Sequence, residues 1–371
     1  MLRKVALLLF VGTVLLPAVI AQQTGMDIAK PAVDLSVNAR LVHLPVVVRD
    51  KKGGLVQNLT KEDFRLQVDG HSQVIRYFDI DMDLPLTLGL LVDTSLSQRT
   101  VLDEERDASS SFLDEMLKKS KDQAFVIQFA RQVELLGDLT NSRPKLQAAL
   151  KQIDTPSPDS QASSDSDRDS SSEDHRGGRR SHVGGTAFYD AVFLASDELM
   201  EKQKGRKALI LLSDGVDRGS KETLNKALES AQRADTILYA IYFKGEQAPQ
   251  QDWGRSRVGG TRFPGGGYPG GRGGGGSPGG GYPSHREENL VDGKKILRQL
   301  SEETGGRFFE VSKKQTVAKI YDQIAEELRA QYRLGYTPDP SASSEGYHQV
   351  DLTANRKDLY IQTRDGYYVG K

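Results

Sequence analysis

The sequence Leu86-Thr87-Leu88-Gly89-Leu90-Leu91-Val92-Asp93-Thr94-Ser95-Leu96-Ser97 sets the reading of the whole chain. Residues 86–92 are an apolar run, which suits a strand buried on both faces of a sheet. Asp93 to Ser97 then place one carboxylate and two hydroxyls in a tight loop at the strand's end. Hard cations such as Mg2+ take oxygen ligands in octahedral array and keep some of their waters. Taken alone, the pentapeptide favours a blander reading, because Asp and Ser are also common after strands as helix caps.

Outward from this stretch, strands and helices alternate. Ala108, Phe112, Leu113, Met116 and Leu117 fall at helical spacing. Residues 124–129 read as a strand, paired as a hairpin with 133–136 through Ala130-Arg131-Gln132. Residues 144–153 read as a helix with Pro144 in its first turn. A helix over 186–202 precedes a strand over 208–212 that ends in Ser213-Asp214-Gly215. Leu224, Ala227, Leu228 and Ala231 mark a helix, and 236–243 a strand. Ile296, Leu297 and Leu300 mark another helix, closed by Gly305-Gly306. A short strand over 307–311 and a helix through Val317, Ile320, Tyr321, Ile324 and Leu328 complete the series. Such alternation predicts an α/β fold: a doubly wound, mostly parallel sheet covered by helices on both sides.

Three segments gather oxygen ligands at one edge of that sheet: Asp93-x-Ser95-x-Ser97, Gly185-Thr186 before a helix, and Ser213-Asp214-Gly215 after a strand. In order and setting they resemble the metal-ion-dependent adhesion site of von Willebrand factor type A domains, over roughly residues 86–330. The resemblance implies a Rossmann-like sheet and a divalent cation, Mg2+ or else Mn2+ or Ca2+. It implies that Ser95 and Ser97 coordinate the ion directly and Thr186 directly or through water. Asp93 and Asp214 would act mainly through water, and one position would stay open for an acidic side chain of a protein partner. Few protein anions around the ion leave it electrophilic, which favours an external carboxylate.

The flanks read as β. Val42, Leu44, Val46 and Val48 alternate, and Leu66 and Val68 lead to Asp69-Gly70, a hairpin signal followed by Val74 and residues 76–78. After Gln331, Val350, Leu352 and Ala354 alternate, as do Leu359, Ile361 and Thr363. Each arm is short for a core of its own. The expectation is one β-rich module formed by the N- and C-terminal arms, with the α/β domain inserted in it; two separately docked arms are the alternative. Residues 46–53, 59–64 and 69–73, with 332–336 and 364–368, resemble the exported VWFA-related family abundant in acidobacteria. The organisation expected is a signal peptide over 1–21, a leader over 22–34, an N-terminal β arm over 35–82, a von Willebrand factor type A domain over 84–330 and a C-terminal β arm over 331–371. Two low-complexity insertions, 157–185 and 245–289, are too poor in apolar residues to offset their ordering entropy. They depart from a compact domain of this type.

Arg3 and Lys4, the apolar residues 5–20 and a cleavage site after Ala21 form a signal peptide pattern; a membrane anchor is the competing reading, and the run is short for it. The expected location is periplasmic or secreted, with no integral membrane segment after signal cleavage. No cysteine is present, so neither a disulfide nor a lipid-anchored cysteine is available. A net charge of -1 gives no electrostatic reason to expect nucleic acid. Gly275-Gly276-Ser277-Pro278-Gly279 fits a nucleophile-elbow pattern only by composition, since no strand-turn-helix surrounds it. His175 and His182 read as solvated loop residues, and Asn58-Leu59-Thr60 as a glycosylation match of little weight. The functional expectation is a non-enzymatic, adhesion-type protein-binding module. An envelope scaffold with a purely structural metal, or a metal-dependent hydrolase, are the alternatives. No residue pairs as general base with a nucleophile or a metal-bound water. The sequence leaves the partner, the metal and the oligomeric state open.

Overall fold

A computed structural model describes residues 41–80, 84–154, 185–244, 292–338 and 345–370. The expected signal peptide, the expected leader and almost all of the two low-complexity insertions lie outside the described residues.

The N-terminal arm supplies β1 (Val42–Asp50), β2 (Phe64–Val68), β3 (His71–Gln73) and β4 (Tyr77–Asp79). The α/β unit follows with β5 (Leu86–Asp93), α1 (Leu102–Met116), β6 (Gln123–Phe129), β7 (Val133–Thr140), α2 (Arg143–Gln152) and α3 (Phe188–Leu194). It continues through β8 (Arg206–Ser213), α4 (Leu224–Arg233), β9 (Ile237–Tyr242), α5 (Gly293–Glu303), β10 (Phe308–Glu310) and α6 (Val317–Arg329). The C-terminal arm adds β11 (Tyr332–Tyr336), β12 (Gly346–Ala354), β13 (Leu359–Gln362) and β14 (Gly366–Val369).

The central sheet runs in the order β10-β9-β8-β5-β6-β7. All its pairings are parallel except β6 with β7. β5 lies inside the sheet, and every one of its residues is buried. The period of two explains why. Leu86, Leu88, Leu90 and Val92 pack with α1, α2 and α6, whereas Leu91 faces α3, α4 and α5. Gly89 shares the second face, where a Cβ would lie 2.3 Å from the Phe125 ring. A side chain there would displace that ring. The mostly parallel α/β sheet expected from the alternating pattern is therefore what the chain forms.

The two arms build one β-rich module. β1 pairs with β11 and β13, β4 with β11, and β2 with β12, so strands from opposite ends of the chain are neighbours in both sheets. Two four-stranded sheets, β13-β1-β11-β4 and β14-β12-β2-β3, share a core of Leu44, Val46, Phe64, Leu66, Tyr332, Leu334, Val350 and Leu352. The α/β unit is inserted between β4 and β11, which are hydrogen-bonded to each other.

Local departures have local causes. The hairpin at Asp69-Gly70 forms, both residues with positive φ, but its return strand is only His71–Gln73. Val74 is exposed, and β4 crosses to the other sheet. The helix expected from Thr186 starts at Phe188 instead, because Thr186 and Ala187 are held in a loop: the Ala187 amide donates to the Ala130 carbonyl (2.6 Å). Its second half, Ala195–Met200, widens to π-helical bonding, a feature the 3.6-residue pattern does not carry.

Candidate functional site

The C-terminal ends of two adjacent parallel strands set the site. Val92 pairs with Leu212, so Asp93 at the end of β5 lies beside Ser213 at the end of β8. The Ser213 hydroxyl donates to Asp93 Oδ2 (2.6 Å) and accepts from the Gly215 amide (3.0 Å). The other oxygen, Asp93 Oδ1, accepts from the Ser95 amide (2.9 Å), which bends the loop back over the carboxylate. That bend brings Ser95 Oγ within 3.0 Å of Ser97 Oγ, and the Ser97 hydroxyl donates to Asp214 Oδ2 (2.8 Å). Asp93, Ser95, Ser97, Ser213 and Asp214 thus form one continuous network. Ser95 caps no helix with its side chain, so the capping reading of the pentapeptide is not what the loop adopts.

Thr186 is buried but is not hydrogen-bonded into this network by any described contact. Backbone bonds hold it: its carbonyl accepts from the Arg218 amide (3.1 Å), four residues beyond Asp214. Asp217, from the same loop, accepts from the Phe188 amide (3.0 Å) and from the Ser220 hydroxyl (2.5 Å). The loop after β8 thereby fixes the start of α3. Gly215 adopts a φ of +74°, and a Cβ on it would meet the Gly293 carbonyl oxygen at 2.3 Å. The first residue of α5 seats directly on the Asp214 loop, and only glycine permits that approach.

Burial dominates the electrostatics of the site. Asp93 is fully buried, and burial pushes its carboxyl up to about 7 against the hydrogen bonds from Ser213 and Ser95, with the Asp214 charge adding to the rise. Ser95, Ser97 and Asp214 are only half-buried, so the network opens to the surface on their side. Among the described residues no trio of His, Cys, Asp or Glu is grouped to hold a metal. A cation here depends on hydroxyl oxygens as well as on two carboxylates. That all-oxygen donor set fits a hard divalent ion and not a soft one.

Residues 88–216 match the family model of the von Willebrand factor type A domain. All five candidate residues, Asp93, Ser95, Ser97, Thr186 and Asp214, fall inside the match. Similar solved structures include BatB from Bacteroides thetaiotaomicron, at 14% identity over 66% of this chain and 97% of that one, TM-score 0.40. The vWF domain of the type V pili tip protein Mfa5 from Porphyromonas gingivalis is 10% identical over 66% and 94%, TM-score 0.40. Proximal thread matrix protein 1 from the mussel byssus, with a zinc-occupied MIDAS motif, is 14% identical over 70% and 49%, TM-score 0.43. No curated protein matches in sequence.

Sequence reasoning missed several residues of this neighbourhood. The sequence shows Ser213 as part of a motif but not as the donor to Asp93. Asp217 gave no signal, because its partner α3 is distant in sequence. Glu105 did leave one: it occupies the apolar stripe of α1 with Leu102, Ser109, Phe112, Leu113 and Met116. A charged residue at such a position is rarely buried without a reason.

Proposed function

We propose that this chain is an exported, non-enzymatic, metal-dependent binding protein. Its von Willebrand factor type A domain coordinates a divalent cation, Mg2+ or alternatively Mn2+ or Ca2+, through Asp93, Ser95, Ser97, Thr186 and Asp214. The ion then captures a carboxylate from a protein partner. The single observation that supports this reading is the hydrogen-bonded chain from Ser213 through Asp93, and from Ser95 through Ser97 to Asp214, at the ends of β5 and β8. It collects carboxylate and hydroxyl oxygens at one sheet edge, half-open to solvent, where open α/β sheets bind ligands. Export follows from the expected signal peptide over residues 1–21. The β-rich module of residues 35–82 and 331–371 carries the domain of residues 84–330. Among the described residues no helix is long and apolar enough to cross a membrane.

The test is calorimetric titration of Mg2+ and Mn2+ into the chain beginning at Gln22, beside Asp93→Ala. Saturable binding by the wild type, absent in a folded Asp93→Ala, is the expected outcome. Equal uptake by the two proteins, or none by either, overturns the reading.

A further inference from the structure

Two buried polar side chains of the segment that follows Asp93 are not accounted for by the five proposed ligands. Gln98 and Glu105 are 0% and 1% exposed. Gln98 Oε1 and both carboxylate oxygens of Glu105 have no hydrogen-bond donor among the described residues. Both residues belong to the site's own segment. Gln98 follows Ser97, and its Nε2 lies 3.5 Å from the Ser97 hydroxyl. Glu105 sits two turns on, at the start of α1, and after burial itself the Asp93 charge is the strongest influence raising its carboxyl well above the usual range.

Three sealed acceptor oxygens with no donor are costly to the folded chain. What they lack is a source of polarised hydrogens. A hydrated divalent cation supplies that source, because Mg2+ and Mn2+ keep several water ligands whose hydrogens point outward. Glu105 is not grouped with Asp93 and Asp214 as a direct ligand set, which leaves it the outer position. We propose that Glu105 and Gln98 accept hydrogen bonds from water bound to the cation at Asp93, so that Glu105 adds a third carboxylate to the site without touching the ion. The inference rests on the cation reading above and deepens it. It names a strongly hydrated divalent ion as the occupant, and it makes the inner wall of the site more negative than the five ligands alone.

Outer acceptors of this kind are worth about ten- to a hundredfold in metal affinity. Mn2+ is titrated calorimetrically into wild type, Asp93→Ala, Glu105→Gln and Gln98→Met, and the metal-free melting temperature of each is measured. Glu105→Gln is expected to weaken Mn2+ binding about tenfold or more, while its metal-free melting temperature stays level or rises. Without the ion, burial favours the neutral acid of Glu105, which an amide replaces at similar size and without charge, whereas a merely structural Glu105 would lower that temperature on substitution. Gln98→Met removes the neighbouring acceptor at similar volume and is expected to weaken binding several-fold; it carries the test if Glu105→Gln does not fold. Unchanged Mn2+ affinity in a folded Glu105→Gln, or a fall in its metal-free melting temperature, overturns this inference alone, provided Asp93→Ala has lost binding. A wild type that takes up no Mn2+ overturns the inference together with the cation reading.

Discussion

Asp93 carries two opposed demands. It is fully buried at the end of β5, and its carboxyl is pushed up to about 7. In an unfolded chain an aspartate titrates at about 3.9. The folded, metal-free state therefore binds the proton more tightly, and folding stability is fully assisted by it below about pH 4 and declines as pH rises towards 7. A cation reverses this preference, since it favours the ionised carboxylate. Mn2+ affinity is accordingly expected to rise between about pH 5 and 7 and to level off above. Calorimetric titration across that range checks it, and a flat profile would show that Asp93 is not the group exchanging its proton for the ion. At this scale the sequence was partly legible. The oxygen-bearing side chains could be picked out from Asp93-x-Ser95-x-Ser97 and Asp214, because acidic and hydroxyl residues after an apolar run are visible in one dimension. The bond from Ser213 to Asp93, and the hold of Asp217 on the start of α3, were not, since those bonds depend on which loops meet in space.

Elements were legible where one periodicity ruled. β5 and β8 are buried on both faces and read as apolar runs; α4, α5 and α6 present clean stripes to the sheet. Thr186 escaped because an apolar pattern cannot tell a first helical turn from a loop tied to Ala130. The short β3 escaped because a turn signal fixes the hairpin but not how far the strands stay paired. On the side of the sheet below the site, α1 and α6 are joined by the stacked rings of Phe112 and Tyr321, with centroids 4.4 Å apart, and by a bond between Ser109 Oγ and the Tyr321 hydroxyl (2.7 Å). Tyr321→Phe keeps the stack and removes the bond, leaving a buried Ser109 hydroxyl unpaired. A loss of about 1–2 kcal/mol is expected, read as a lower denaturant midpoint with an unchanged slope. An unchanged midpoint would mean that the ring contact alone holds the two helices together.

For the molecule as a whole, the question is how a β module made from both ends of the chain and an α/β unit inserted in its middle act as one body. Glu327 of α6 supplies an answer. It is fully buried and receives Arg49 of β1, Arg307 before β10 (2.9 Å) and, more distantly, Gln362 of β13 (3.4 Å). One carboxylate thus joins the last helix of the α/β unit to two strands of the module. Arg364 makes a second link, to Asp235 and to the His43 carbonyl, each at 2.6 Å. Removing one partner of a buried ion cluster is far more damaging than never having had it, because the remaining charges are left in a poorly solvated place. Arg307 is part-exposed and can turn to water, so the cost falls mainly on Arg49. Glu327→Ala is expected to cost about 3 kcal/mol. It is also expected to loosen the module from the α/β unit, so that unfolding followed by tyrosine fluorescence and by far-ultraviolet dichroism no longer coincides. Coincident transitions at the wild-type midpoint would show that strand pairing alone unites the two parts. Mn2+ affinity should stay unchanged in this variant, because Glu327 has no described contact with the Asp93 network. A loss of affinity would instead show that α6 carries strain from the β module to the cation site.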